Sequence, residues 1–285
     1  MRLALVCIAV CISVSHALTD EELAAFTGSV SITSNRENHI LTSDGTPDHD
    51  TGTFPNDCNP NEMAEQSFRR HIPLNPTVAS STSPLNKGII GYAVNGVAFF
   101  NPCTSANLDA TLNEELDICG GHPDQKGVYH YHGVPKCLFE ELMSQYQEPS
   151  QIFLGVALDG FPIYGPTDEP LDANGCNGRF LDAAKTKWQY HVSETKFPYI
   201  LGCYVGEVTV DGDGIDTCDT GNLGGRCSAP ATPDEETDEE ADEGTDEGTP
   251  TVPDGGKPGR PKPRPRDELV ELLMEILKRD KLIED

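Results

Sequence analysis

Short runs of β-branched and aromatic residues, broken by Gly, Pro and Asn, dominate the chain from Ser29 to Gly206, a pattern that predicts strands and turns more than helices. Ser29-Val-Ser-Ile32 alternates polar and apolar positions. Met63 to Arg70 fits a helix or a strand. Val128 to His132, bounded by Gly127 and Gly133, predicts a short strand. Two longer stretches can be laid on each other without a gap: Ile89-Ile-Gly-Tyr-Ala-Val-Asn-Gly-Val-Ala-Phe-Phe-Asn-Pro102 and Phe153-Leu-Gly-Val-Ala-Leu-Asp-Gly-Phe-Pro-Ile-Tyr-Gly-Pro166. Asn-Gly and Asp-Gly between apolar runs are hairpin turns, and a type I′ turn is expected at each.

The likeness continues downstream. Cys119 followed by Tyr129-His-Tyr-His132 is echoed by Cys176 followed by Trp188-Gln-Tyr-His191. The unit is therefore a hairpin, a cysteine-bearing loop and an aromatic/His strand, present twice, with the copies related by a pseudo-two-fold axis. Its period is longer than that of a solenoid, so one globular domain of two halves is expected. Leu108, Leu112 and Leu116 share one helical face, and Cys137 to Tyr146 suits a short helix. The expected class is mainly β with short connecting helices, its core a β-sandwich or barrel of the two hairpin units.

Composition adds a compartment. Met1-Arg2, an apolar run from Leu3 to Val14 and the small-residue site Ser15-His16-Ala17 have the form of a signal peptide over residues 1–17. That run is too short for a membrane span, and no later stretch is apolar enough for one. The remaining eight cysteines (Cys58, Cys103, Cys119, Cys137, Cys176, Cys203, Cys218 and Cys227) are even in number and scattered, which predicts disulfides whose pairing the spacing leaves open. A net charge of −27 excludes a nucleic-acid partner and favours cations, calcium mineral or basic matrix polymers.

The candidate chemistry lies in Gly120 to Pro135, which holds three of the chain's eight histidines. Strand side chains alternate between faces, so His130 and His132 point one way and Tyr129 and Tyr131 the other. His122, on the Gly-rich loop before them, can fold back as a third ligand. Neutral imidazoles suit zinc, copper or iron. His191 takes the place of His132 in the repeat, while Gln189 replaces His130. If the halves face each other His191 completes the site; otherwise it is a solvated strand histidine. Asp159 is a further carboxylate candidate, although its turn alone accounts for it. Asp211, Asp213, Asp216 and Asp219 form a run of alternating oxygens resembling part of a calcium loop. As an EF-hand it fails, because Ile215 takes a ligand position and Asn222 stands where a bidentate Glu is needed.

Tyr129-His-Tyr-His132, with Gly-Gly-His upstream and Asp159-Gly-Phe-Pro-Ile-Tyr-Gly downstream, resembles the YHYH domain family of secreted proteins. Phe54-Pro-Asn, Asn59-Pro-Asn, Phe197-Pro-Tyr and Gly202-Cys-Tyr extend the resemblance from about His49 to Gly206. It implies an exported protein and carries no activity with it.

Beyond a domain of residues 18–229 the composition changes. Pro233 to Pro250 holds ten Asp or Glu and no Lys or Arg, too polar to order itself. Lys257, Arg260, Lys262, Arg264 and Arg266 then alternate with prolines, completing a linker over residues 230–266. Leu269, Leu272, Leu273, Ile276 and Leu277 form an apolar stripe on a C-terminal helix, residues 267–285, which needs a partner: the core, another copy of itself in self-association, or something external. The expectation is a secreted, acidic, cation-binding component of an extracellular matrix or of a biomineral such as shell or skeleton. Its rival is an extracellular copper or iron oxidoreductase or zinc hydrolase on the His cluster, with Tyr129 or Tyr131 lining the site and Asp124 or Asp159 as acid or base. Display of charge is plentiful and acid–base groups are few, so binding is favoured over catalysis.

Overall fold

The computed structural model describes residues 18–208 and 218–221. Asp211, Asp213, Asp216 and Cys227, the first 17 residues, and the tail with its basic stretch and apolar stripe lie outside the described residues.

The elements in chain order begin with α1 (Asp20–Ala24), β1 (Ser31–Ser34), β2 (Asn38–Ser43), β3 (Phe68–Pro73) and β4 (Val78–Ser83). The first half of the repeat supplies β5 (Ile89–Ala93), β6 (Ala98–Phe100), α2 (Ala110–Asn113), β7 (Gly121–Pro123), β8 (Tyr129–Tyr131) and α3 (Lys136–Met143). The second half supplies β9 (Phe153–Ala157), β10 (Pro162–Tyr164), β11 (Gly178–Phe180) and β12 (Trp188–His191), and β13 (Tyr204–Gly206) closes the series. The domain is mainly β, as expected. An eight-stranded sheet, ordered β11-β12-β10-β9-β5-β6-β8-β7, is accompanied by the three-stranded β1-β2-β3 and the pair β13-β4. The large sheet is open, so the barrel alternative is set aside.

That strand order reads the same from both ends once each strand is exchanged for its repeat equivalent, and the register agrees. Gly91 pairs with Ala157, Tyr92 with Val156 and Ala93 with Gly155 across β5 and β9. Tyr92 and Val156 are equivalent residues, so the pseudo-two-fold axis passes between them. Gly91 and Gly155 are also equivalent, and a Cβ on either would strike a carbonyl of the facing strand. The halves can approach this closely because both positions lack a side chain. In each half the second hairpin strand pairs in parallel with the aromatic/His strand: Ala98 with His130 and Phe99 with Tyr131, Ile163 with Tyr190 and Tyr164 with His191.

The hairpin turns differ from the type I′ expectation. Gly96 and Gly160 take positive φ; Asn95 and Asp159 do not. Ala93 N–H donates to the Val97 carbonyl and Gly96 N–H to that of Ala93, and Ala157, Phe161 and Gly160 repeat the arrangement. These are three-residue loops with Gly in the left-handed position.

Helices are shorter than the leucine periodicity predicts. Asp109 caps α2, which ends after one turn at Asn113. Leu108 is instead bridged to Asp219, beside the Cys103–Cys218 disulfide. Asp219 turns its carboxylate onto the Gly221 N–H. Met63 to Arg70 resolves as approach to the strand β3, and Cys137 to Tyr146 contains most of α3. Cys119–Cys137 and Cys176–Cys203 each join a cysteine two residues before an outer hairpin to the chain after it, so the repeat includes its cross-link. Cys58 is disulfide-bonded as well. Tyr92, Phe99, Tyr129, Tyr131, Trp188 and Tyr190 are almost wholly buried in one core.

Candidate metal centre

β7 and β8 form a hairpin closed by Asp124, whose carboxylate accepts from the N–H groups of Lys126 and Val128. Asp124 is therefore occupied in the turn, which leaves it little part as the acid or base considered above. Gly127 closes that turn at positive φ. A side chain at Gly121 would strike the Tyr129 ring, so the Gly-Gly that precedes His122 is a packing requirement. His122 belongs to a paired strand, not a loop, and stands directly opposite His130. Residues opposite each other in an antiparallel pair share a face. His132, just past β8, lies two residues beyond His130 and shares that face too.

The outcome is a cluster of three buried imidazoles. Nε2 of His122 lies 3.1 Å from Nε2 of His130, which lies 3.0 Å from Nε2 of His132. Each ring is oriented by its other nitrogen. Nδ1–H of His122 donates to the Glu115 carbonyl at 2.8 Å, that of His130 to Val128 at 2.9 Å, and that of His132 to Asn101 at 2.7 Å. A carbonyl only accepts, so each Nδ1 carries a hydrogen, and Nε2 is the atom that each ring turns toward the other two. Phe100 stacks on His130 at 3.7 Å between ring centroids and holds its plane.

Sequence reasoning missed Glu114. Its Oε2 lies 3.3 Å from Nε2 of both His122 and His132. Burial raises the pKa of its carboxyl, but the His122 and His132 imidazoles beside it outweigh this and hold it well below the usual carboxylate range. His130 is wholly enclosed. Burial is the first cause that keeps its pKa well below the ordinary value. Three lone pairs and a carboxylate oxygen thus converge. Their lone pairs repel one another unless a proton or a metal cation lies among them.

These two separations are compatible with a single ion. With metal–nitrogen distances of 2.0–2.1 Å, donors 3.0–3.1 Å apart subtend roughly 95°. Three imidazoles and a carboxylate suit zinc, copper or iron better than calcium or magnesium, which take oxygen ligands. The backbone carbonyls on Nδ1 are the outer partners that fix tautomer and orientation at such centres. A cleft of about 590 Å³ opens over the cluster, lined in part by Lys87, Phe100, Asn101, Glu114 and Lys126.

The tyrosines occupy the opposite face. Tyr129 donates to Asp117, and Tyr131 is bonded to His49 and Asn95. They do not line the site. Burial is the main reason that both phenols are raised above their ordinary pKa.

His191 and Asp159 stand apart from the other three. β12 lies five strand positions from β8, about 24 Å at the usual spacing. His191 is neither a fourth ligand nor solvated. It is buried, its Nδ1–H donates to the Gly165 carbonyl, and its Nε2 accepts from Gln189 at 2.7 Å. Asp159 is wholly buried in its turn and accepts from the Tyr190 hydroxyl and the N–H groups of Gly206 and Phe161. The expectation that these two residues join the cluster is thereby corrected. The two halves meet edge to edge within one sheet, which carries equivalent residues outward from the axis.

Residues 69–176 match the family described as YHYH protein. The match is narrower than the resemblance read from the motifs, and contains the whole His cluster and Glu114. No curated protein and no solved structure matches the chain.

Proposed function

We propose that this YHYH-domain protein is an exported metal-binding protein whose His122, His130, His132 and Glu114 hold one transition-metal ion. The observation that carries the reading is the convergence of three Nε2 atoms whose rings each donate Nδ1–H to a backbone carbonyl. Bound there, zinc, copper or iron would act as a Lewis acid or, for copper and iron, as a redox centre. The chain's own groups orient the imidazoles, and the Phe100 ring shields one face of His130. The run of carboxylates from Asp234 to Glu247 supports a place in an extracellular matrix or at a calcium mineral, through many weak oxygen contacts.

Metal analysis of the purified chain against a His130→Ala/His132→Ala variant tests the centre. About one ion per chain is expected for the wild type and none for the variant; an equal metal content in both sinks the proposal. The cleft favours a second reading, catalysis, since an exchangeable ligand can reach the centre through it. Oxygen uptake and hydrolase assays on metal-loaded protein separate the two readings.

A further inference from the structure

We propose that the second half of the domain carries a spent copy of the metal centre, in which the Arg179 guanidinium takes the ion's place. The inference rests on the metal reading of the first half. It assigns one ion to a duplicated fold that has two equivalent positions.

The correspondence is residue by residue. His132 donates Nδ1–H to the carbonyl of Asn101, and His191 donates Nδ1–H to that of Gly165; Asn101 and Gly165 occupy the same place in the repeat. Phe100, whose ring lies 6.0 Å from that of His132, corresponds to Tyr164, whose ring lies 6.3 Å from that of His191. On the other face, the Tyr131–Asn95 contact corresponds to Tyr190–Asp159. Two ligand positions differ. His130 becomes Gln189. Opposite it, where β7 presents His122, β11 presents Arg179.

These two changes alter the donor balance together. In the first half the Nε2 lone pair of His132 faces another Nε2 and a carboxylate. In the second, the Gln189 amide donates to Nε2 of His191 at 2.7 Å and satisfies it. Arg179 brings a permanent positive charge to the face where His122 would have been, and that charge contributes to holding His191 below its ordinary pKa, after burial. The connection preceding each outer hairpin also supplies a carboxylate. Glu114 reaches His122 and His132, and Glu169 reaches Arg179 Nη1 at 3.3 Å. Nε of Arg179 is buried without a hydrogen-bond partner among the described residues.

Zinc stoichiometry of the full chain tests the inference. After loading with Zn²⁺ and dialysis, the wild type is expected to hold one ion and an Arg179→His/Gln189→His variant two. A folded variant that stays at one overturns the inference. The reverse exchange, His122→Arg/His130→Gln, keeps the question open to refutation if the first variant fails to fold. It should hold no zinc, melt at the same temperature with and without EDTA, and melt above His122→Ala/His130→Ala. A melting temperature no higher than that of the alanine variant also overturns the proposal. A wild-type value of zero removes the metal reading itself, and this inference with it.

Discussion

Removing the metal should destabilise the fold by an amount that the site itself sets. The three imidazoles come from two strands and the residue after one of them, and converge only in the folded chain. An ion bound to the native state alone adds RT ln(1 + [M]/Kd), about 2.7 kcal/mol at a free concentration one hundred times Kd. For a domain of this size each kcal/mol moves the melting temperature by about 2–4 °C, so chelation should lower it by about 5–11 °C. Differential scanning calorimetry with Zn²⁺ and then with excess EDTA measures the shift. The His130→Gln variant is the control, because it deletes a ligand and, as Gln189 does for His191, offers an amide donor to His132. Its melting temperature should be indifferent to metal. Equal melting temperatures of the wild type in zinc and EDTA, or the same shift in the variant, would refute the reasoning.

Three further outcomes are expected. Glu114→Gln keeps the shape but removes the charge that faces His122 and His132, and should weaken zinc about 10–100-fold in a competition titration; an unchanged affinity excludes the carboxylate from the centre. Cys119→Ser/Cys137→Ser opens a loop of 18 residues' separation around the β7–β8 hairpin and should cost about 3 kcal/mol in urea unfolding, with loss of zinc affinity; unaltered stability would show the cross-link to be idle. Burial holds the Asp159 carboxyl above its ordinary pKa, against the bonds that it accepts. Such a group contributes stability that is complete below the unfolded value of about 3.9 and is lost as pH rises through the folded value. Wild-type stability should therefore fall relative to Asp159→Asn as pH rises above about 4, and parallel pH profiles of the two would contradict this.

Much of the site was legible because its signals are local. Alternation along Val128 to His132 assigned His130 and His132 to one face and the tyrosines to the other, and the structure keeps that division. The repeat shows in the sequence as self-similar hairpins and cysteine loops, and the sheet order agrees with it. Glu114 left no comparable signal. It follows a one-turn helix whose leucine spacing suggested a longer one, and nothing adjacent to it in sequence marks it as facing His122 and His132. The turn type is not decided locally: Asn95-Gly96 and Asp159-Gly160 suit two loop geometries, and the strand pairing beyond the turn selects between them. For His191 the sequence shows the equivalent residue, His132, but not the neighbourhood. The alignment shows which residues correspond and leaves open whether the copies meet face to face or edge to edge.

By itself, then, the sequence determined the mainly β class, the duplication, the same-face His pair and the YHYH resemblance, all of which rest on periodicity and on similarity between nearby stretches. Tertiary structure decided the rest. The antiparallel β7–β8 register put His122 opposite His130, the chain after α2 brought Glu114 to two imidazoles, and the β5–β9 seam sent His191 to the far side of the sheet. Those placements follow from hydrogen-bond pairing between segments distant in the chain, where the free energy of burying a shared core selects one register and no local pattern records the choice.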